Sequence, residues 1–565
     1  MSPGPALSPS PTDVELPGGF RPEDGPAWRR IRRYAVPGWM IEQATAHRLA
    51  GDWRAACAAA AVDVGFDLPG LEARYGAAVA EAVAEDLRHL APDLLRWHLP
   101  RLLGGRTTIA PAVRVLLASY GGSGGPTLSV TTPLMTEGSQ RLRLHCAPVA
   151  TKKWNVYAGH GFVSEDWTAV RPFWDARRAS ELGARFTDPD GLAERIARLW
   201  TREDVVEAYA AAGIACDLTV PTPQPYRRPT DPRALLARMP VDPTRLSPEV
   251  ARLVAAGAGD RYRIAAGWRS HLLLEHAGPE GLRARLIDQA EASAVPPLPR
   301  YAWQRLPDLE LVRTGLITPG ELHPLVAAAL FPGAGPAAGP PGPDPGRPVR
   351  VRCRGGWHEV RSRGGVLDVP HTPEEQQRER AMRAFGGAVA GCFAVQQSWT
   401  TGEGRLPRAL QAQRHEFFLR VQHGDTPGVV ALLDAGVDPR IRDARGRSLL
   451  HALHLLDHEV LLPRLLEAGL DLEARDKAER TPLLSAVHWG GSADLVRALL
   501  AAGSRIDVID EMELSLSQEI RRYKRTDLAF LRDRVDEEFP GIGADWFDEH
   551  MEYREDEEDD EDDDA

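Results

Sequence analysis

The chain lacks most of the signals from which a chemistry could be read. Only Lys152, Lys153, Lys477 and Lys524 of its 68 basic residues are lysines. No stretch approaches the roughly 20 apolar residues that a membrane helix needs. Its five cysteines, Cys57, Cys146, Cys216, Cys353 and Cys392, form no CxxC pair and are odd in number. Neither a disulfide framework nor a zinc ribbon is expected from that pattern. There is no Gly-Lys-[Ser/Thr] phosphate loop, H-E-x-x-H or Asp-rich calcium loop, and no strand-to-helix nucleophile elbow, since the Gly-rich run at 121–126 leads into a strand-like segment. The expectation is therefore no catalytic residue, no metal and no cofactor.

What is present is a bias towards Ala, Arg, Gly and Pro, with 52 Gly and 47 Pro among 565 residues. High-GC bacterial coding accounts for it better than selection for nucleic-acid binding. Of the 80 acidic residues, ten form the unbroken run from Glu555 to Asp564, leaving 70 acids against 68 bases elsewhere. The body is nearly neutral, which speaks against a nucleic-acid surface. Residues 541–565 read as an acidic disordered tail, and 1–26, rich in Pro, Ser and Gly, as a disordered leader. No basic segment precedes an apolar core there, so no secretory signal is read. A reducing bacterial cytoplasm is the expected compartment.

Residues 27–330 read as an α+β region. Helices are expected at 42–62, 71–90 and 94–103. Three strand-like runs follow at 113–120, 127–132 and 141–146, joined by Gly-rich segments, and predict a small antiparallel meander. Residues 173–290 read as helical again. The Pro/Gly/Ala tract 331–348 is a linker. A small hairpin-plus-helix unit is expected over 349–405, with a helix at 373–384.

An L-L-x-A-G ending recurs at Gly436, Gly469 and Gly503, spaced 33 and then 34 residues. A D-x-x-G-x-[ST]-x-L opening precedes the second ending through Asp443, Gly446, Ser448, Leu450 and His451, and returns in part at Asp476, Thr481, Pro482 and Leu483. Such a period signals stacked helical hairpins. Ser448 and Thr481 are placed to cap the first helix of their repeats, and Pro482 suits a first helical position. Leu450, Leu465, Leu466, Leu483, Leu499 and Leu500 fall at the spacing of an apolar seam. Pro463 falls inside the second helix of the middle repeat, where a kink or shortening is expected. The unit at 415–436 reads as an N-terminal cap, one extra residue sits near Gly490 to Ser492, and the pattern decays after Asp510 into two further helical stretches ending at Phe539.

These motifs resemble the ankyrin repeat family over about 411–540. The resemblance implies an all-α solenoid that binds proteins through its tips and inner helices. On this sequence those positions are Arg440, Arg442, Arg445, Arg447, Arg475, Lys477, Arg480, His488 and Trp489. The face is net basic, so an acidic protein surface is the expected partner, with the acidic tail as an intramolecular competitor. Residues 30–399 faintly resemble uncharacterised proteins of high-GC bacteria, a likeness that transfers no function.

Other constellations are weaker. His451, His454 and His458 stand at helical spacing, but the ankyrin pattern places its own backbone-bonding histidine at 451, and His458 falls in a turn; no metal is read there. Gly121 to Pro126 reads as a plain hairpin loop. His145-Cys146 and Trp357-His358-Glu359 are strand neighbours pointing to opposite faces. Trp28-Arg29-Arg30-Ile31-Arg32-Arg33-Tyr34 interleaves charge and aromatics as a nucleic-acid strip would. The tryptophans are expected to fill cores.

The expectation is a multidomain protein, an α+β region followed by an ankyrin solenoid between disordered termini, acting as a protein-interaction or scaffold module. The alternatives are an enzyme of unknown reaction in 30–399 and nucleic-acid binding through 28–34.

Overall fold

The computed structural model describes residues 22–547, apart from 123, 150–162, 188–190, 202–203, 220–230, 240, 268–269, 279–280 and 386–388. The chain divides into two compact units. The first contains the described residues up to Pro341 except Pro133–Gln140; that segment counts with the second unit, which runs on from Gly342.

Among its described residues the first unit holds two sheets. One combines β1 (Val62–Val64), β2 (Val113–Ser119), β3 (Thr127–Thr131), β4 (Leu142–Ala147) and β5 (Val163–Asp166). Their order is β1-β4-β3-β2-β5. The expected meander is β2-β3-β4, antiparallel throughout, with the loop after β2 joining its first two strands. Beyond the expectation, β1 and β5 pair in parallel on either edge.

The second sheet corrects the reading of 173–290 as helical. It contains β6 (Ile214–Asp217), β7 (Arg261–Gly267), β8 (Ser270–His276) and β9 (Leu282–Asp288), ordered β6-β9-β8-β7. His271 to Leu274 of β8 are all buried. An unbroken apolar run has no period-two signature, so it cannot be told from a buried helix segment by pattern alone.

The two sheets share one connectivity. In each, a seven-residue helix is capped by an aspartate: Asp52 accepts from the Ala55 amide before Trp53–Ala59, and Asp204 from the Glu207 amide before Val205–Ala211. A residue with positive φ follows, Ala61 at 53° and Gly213 at 74°. The short strand that comes next pairs in parallel with the last strand of a later three-stranded meander.

Helix lengths also differ from expectation, for local reasons. The expected helix 42–62 is two, Gly38–Leu49 and Trp53–Ala59, parted at Gly51, whose φ of 81° favours glycine. The expected 71–90 is Leu68–Tyr75 and Ala77–His89, parted at Gly76 with φ 87°. The expected 94–103 is Pro92–His98, and the end of the expected leader is a short turn, Pro22–Asp24, leading into the helix Gly25–Tyr34. Leu87, Leu94, Leu95, Val113, Val115, Leu128, Leu144 and Trp174 form the heart of this unit, each at most 1% exposed. Burial of each such aliphatic side chain contributes about 1.5–3 kcal/mol.

The second unit opens with β10 (Val349–Cys353), β11 (Gly356–Arg363) and β12 (Val366–Asp368), an antiparallel sheet in that order. The helix Pro373–Ala384 follows as expected, and then one that the sequence reading passed over, Gly391–Thr401. Helix pairs come next: Arg408–Gln422 with Thr426–Asp434, a 3-10 segment Leu450–Leu455 with His458–Glu467, Pro482–His488 with Ala493–Ala501, and Leu516–Arg522 with Ala529–Glu538.

Thr481 accepts from the Leu484 amide at the start of its helix, with Pro482 in the first turn. Gly436, Gly469 and Gly503 all have positive φ, the left-handed stop that glycine takes without strain. Ser448 caps no α-helix; its hydroxyl lies 2.9 Å from His451 Nδ1 beside the 3-10 segment. Pro463 does not interrupt His458–Glu467. Both Pro463 and Glu459 are exposed, so the carbonyl whose amide partner the proline removes can be solvated.

Candidate functional site

Four metal-ligating side chains converge in the sheet-and-helix part of the second unit: Cys353, His358, His371 and Cys392. Cys353 ends β10. Arg354 and Gly355, with φ of 49° and 84°, form the tight turn into β11, a two-residue connection with positive φ at both positions that matches the twist of a hairpin. Cys353 pairs with Gly356 and Val351 with His358, so period-two alternation puts Cys353 and His358 on one face.

β11 pairs with β12 from Arg361 opposite Asp368, and the same register continued past Asp368 leads His371 towards His358. Their rings lie 4.8 Å apart. Cys392 enters from the first turn of Gly391–Thr401.

The four ligand atoms all lie within 4.8 Å of one another. Cys353 Sγ is 3.6 Å from His371 Nε2, Cys392 Sγ is 3.6 Å from His358 Nδ1, and His358 Nδ1 is 3.3 Å from His371 Nε2. On its far side His371 Nδ1 meets Glu375 Oε2 at 3.3 Å. Amide and histidine hydrogen bonds, led by the Thr372 backbone, hold the Glu375 carboxyl below its ordinary value. Cys392 is fully buried and Cys353 is 4% exposed. Burial, then the neighbouring Cys353, pushes the Cys392 thiol up to about 12.

The sequence reading missed this cluster because its ligands are separated by 4, 12 and 20 residues, which matches no short motif. The available signal was the Cys-x4-His pair around an Arg-Gly turn. His358, read only as a strand neighbour of Trp357 and Glu359, belongs here.

The predicted partner-facing residues lie at the tips of the helix pairs, and most of their charge is engaged within the chain. Arg445 and Arg447 each donate to one oxygen of Glu137 at 2.8 Å, and Arg447 also donates to Asp443. His454 Nε2 lies 3.0 Å from the Glu137 carbonyl, so the 133–140 segment is held at three points. Arg440 pairs with Asp438, Arg475 with Glu479 and Arg480 with Asp510. Arg442 donates to the carbonyls of Gly446 and Arg475, tying adjacent tips together. Lys477 is exposed. His488 lies buried against Glu519 at 3.0 Å, and Trp489 packs edge-on against its ring.

His451 does bond backbone, through Nε2 to the Arg480 carbonyl. His458 lies within the first turn of its helix, where the sequence reading put it in a connecting turn. The 28–34 strip is not one exposed face: Ile31, Arg32 and Tyr34 are buried, and Arg32 forms a two-point ion pair with Asp308, at 2.8 and 2.7 Å. His145 bonds Thr131 across the sheet, while Cys146 is buried. Trp97, Trp174 and Trp399 fill cores, whereas Trp357 is 61% exposed. The tail 555–564 lies outside the described residues.

The first unit also contains a cavity walled by Trp97, His98, Arg101, Trp167, Phe173 and Arg300. Arg300 there pairs with Glu165 at 2.7 Å. Arg101 is 2% exposed, and its Nε and Nη1 have no hydrogen-bond partner among the described residues. Burial, with the nearby Arg96 and Arg32, pulls its guanidinium well below its ordinary value.

Residues 417–510 match the family model for ankyrin repeats in three copies. The match covers the helix pairs whose tips carry Arg440 to Arg480, and it supports a protein–protein interaction module in that part of the chain. No described helix is long and apolar enough to cross a membrane.

Proposed function

We propose that the chain is an adaptor of the bacterial cytoplasm whose ankyrin array, extending as a solenoid over about 411–540, docks an acidic protein surface on its tips. The observation that carries this reading is the grip of Arg445 and Arg447 on Glu137: two neighbouring tip arginines take one carboxylate, each by a charge-assisted bond of 2.8 Å. Arg440 and Arg475 are about half exposed beside their partners Asp438 and Glu479 and Lys477 is exposed, so further cationic groups are accessible beside that pair. The acidic tail from Glu555 to Asp564 is, in this reading, a tethered competitor at an effective concentration around the millimolar range.

Calorimetric titration of the chain truncated after Arg554 with a peptide of the sequence Glu555 to Ala565 tests the proposal. Affinity should fall steeply with salt and weaken at least tenfold in the Arg440→Glu, Arg475→Glu, Lys477→Glu variant. Equal binding by the variant overturns the assignment of the face.

A second reading concerns the alternative of a ligand-handling or catalytic role within 30–399. Its support is Arg101, a buried guanidinium in an aromatic-walled cavity with two nitrogens unpartnered among the described residues. That combination suits a small anion. Thermal shifts with phosphate and short carboxylates, compared with Arg101→Met, test it; no anion-dependent shift in the wild type removes this reading.

A further inference from the structure

We propose that Cys353, His358, His371 and Cys392 hold one structural zinc ion, which pins the N-terminal cap of the repeat array. The argument begins with distances. Around a tetrahedral zinc with Zn–S about 2.3 Å and Zn–N about 2.0–2.1 Å, neighbouring ligand atoms stand about 3.6 Å apart for sulfur and nitrogen and about 3.3 Å apart for two nitrogens. The observed sulfur–nitrogen separations are 3.6 and 3.6 Å, and the nitrogen–nitrogen separation is 3.3 Å. Three edges of the tetrahedron are thus formed by side chains from four different places in the sequence.

Confinement of all four atoms within 4.8 Å suits a single ion better than a multinuclear cluster. Two thiolates and two imidazoles in tetrahedral array select zinc over the hard, oxygen-preferring cations. Four protein ligands leave no open position, and the two cysteines are buried, so the site is structural rather than catalytic. On binding, each thiol releases its proton to solvent, and two thiolates neutralise the divalent charge.

The surroundings fit the same purpose. Glu375 lies 3.3 Å from His371 Nδ1, leaving Nε2 to face the ligand set; a carboxylate behind a ligating histidine fixes its tautomer and orientation. Gly391 has φ 61°, and a Cβ there would stand 2.5 Å from the Cys353 sulfur, so the helix can approach the ligands only with glycine at that position.

The consequence for the array follows from packing. Val351, Cys353, Val360 and Cys392 belong to one continuous core with Val395, Trp399, Phe417 and Leu432. The β11–β12 turn closes on the first repeat: the Gly365 amide donates to the Gly436 carbonyl at 3.2 Å. Repeat arrays need a terminal unit that covers the exposed end of the stack, and three short strands make a meagre core by themselves. One ion joining the hairpin to Gly391–Thr401 closes that unit.

The test uses the full chain purified without chelator. Elemental analysis should find one zinc per chain, released when a mercurial blocks the thiols, with unfolding of the array shifted to lower temperature. Cobalt substitution should give the d–d bands and thiolate charge-transfer absorption of a tetrahedral site with two sulfurs. Glu375→Gln retains all four ligands, so it should fold and lose zinc to a competing chelator about 10–100-fold more readily. Zinc still stoichiometric in the Cys353→Ser, Cys392→Ser chain overturns the proposal. So does a folded wild-type chain that is metal-free with unchanged stability and no tetrahedral cobalt spectrum, or one whose mass shows Cys353 joined to Cys392 as a disulfide.

Discussion

Gly391 presses against Cys353: a methyl group on the glycine would stand 2.5 Å from the cysteine Sγ and 2.9 Å from its Cβ. The backbone of one helix and the last residue of a strand are thereby locked together across a gap of 37 intervening residues. Gly391→Ala adds that clash to the strain of a positive φ. The variant should lose about 1–3 kcal/mol of stability, read as a lower thermal midpoint. A Gly402→Ala control meets a different contact, the Asp443 carbonyl, and should destabilise without altering cobalt absorption.

Removing the charge of Glu137 should act in two directions. In Glu137→Gln the guanidinium groups of Arg445 and Arg447 lose a carboxylate that is itself 6% exposed. Breaking a buried pair costs up to about 3–5 kcal/mol. The loss here should be smaller, because Arg445 is 55% exposed and Arg447 keeps Asp443. Chemical denaturation should show the loss, while binding of an acidic peptide to the tips should strengthen.

The stability of the array should fall with acid before its carboxylates protonate. Burial holds His451 down to about 4 and His454 down to about 3, with Arg447 disfavouring the charged form of both. Asp476 and the Arg480 carbonyl oppose the shift of His451. In the unfolded chain both titrate at about 6.5. The stabilisation is therefore complete above about pH 6.5 and is lost as pH falls towards the folded values, by at most about 1.4 kcal/mol per pH unit per histidine. Urea midpoints measured from pH 8 to 4.5 should show this slope, and His454→Gln should flatten it.

Asp308 supports the first unit through Arg32 and the Trp97 indole, which donates to it at 3.0 Å. Asp308→Ala leaves Arg32, 3% exposed, without its counterion and should cost about 3–5 kcal/mol. The Arg32→Met, Asp308→Leu double variant should recover most of that loss. If single and double variants were equally unstable, the ion pair would not be the cause.

The repeat was the most legible part of the chain. Helix stops at Gly436, Gly469 and Gly503 and the cap at Thr481 obey local backbone rules, and local rules survive any tertiary context. The β8 strand was not legible, because a sheet partner on each side and burial of four successive residues, His271 to Leu274, erase alternation. Pro463 went the other way: a kink or shortening is expected there, but the helix His458–Glu467 runs on through an exposed proline whose freed carbonyl can be solvated.

Sequence by itself determined the helix stops at Gly436, Gly469 and Gly503 and the cap at Thr481, since these depend on a few neighbouring residues and on φ. Only the tertiary structure decided which side chains meet. Cys353 and Cys392 are unremarkable until a two-residue turn, a strand register and a glycine-started helix bring them to two histidines. Arg445 and Arg447 count as free charge until Glu137, some 300 residues earlier, is packed between them. Proximity of that kind comes from chain folding over long separations, which no local pattern encodes.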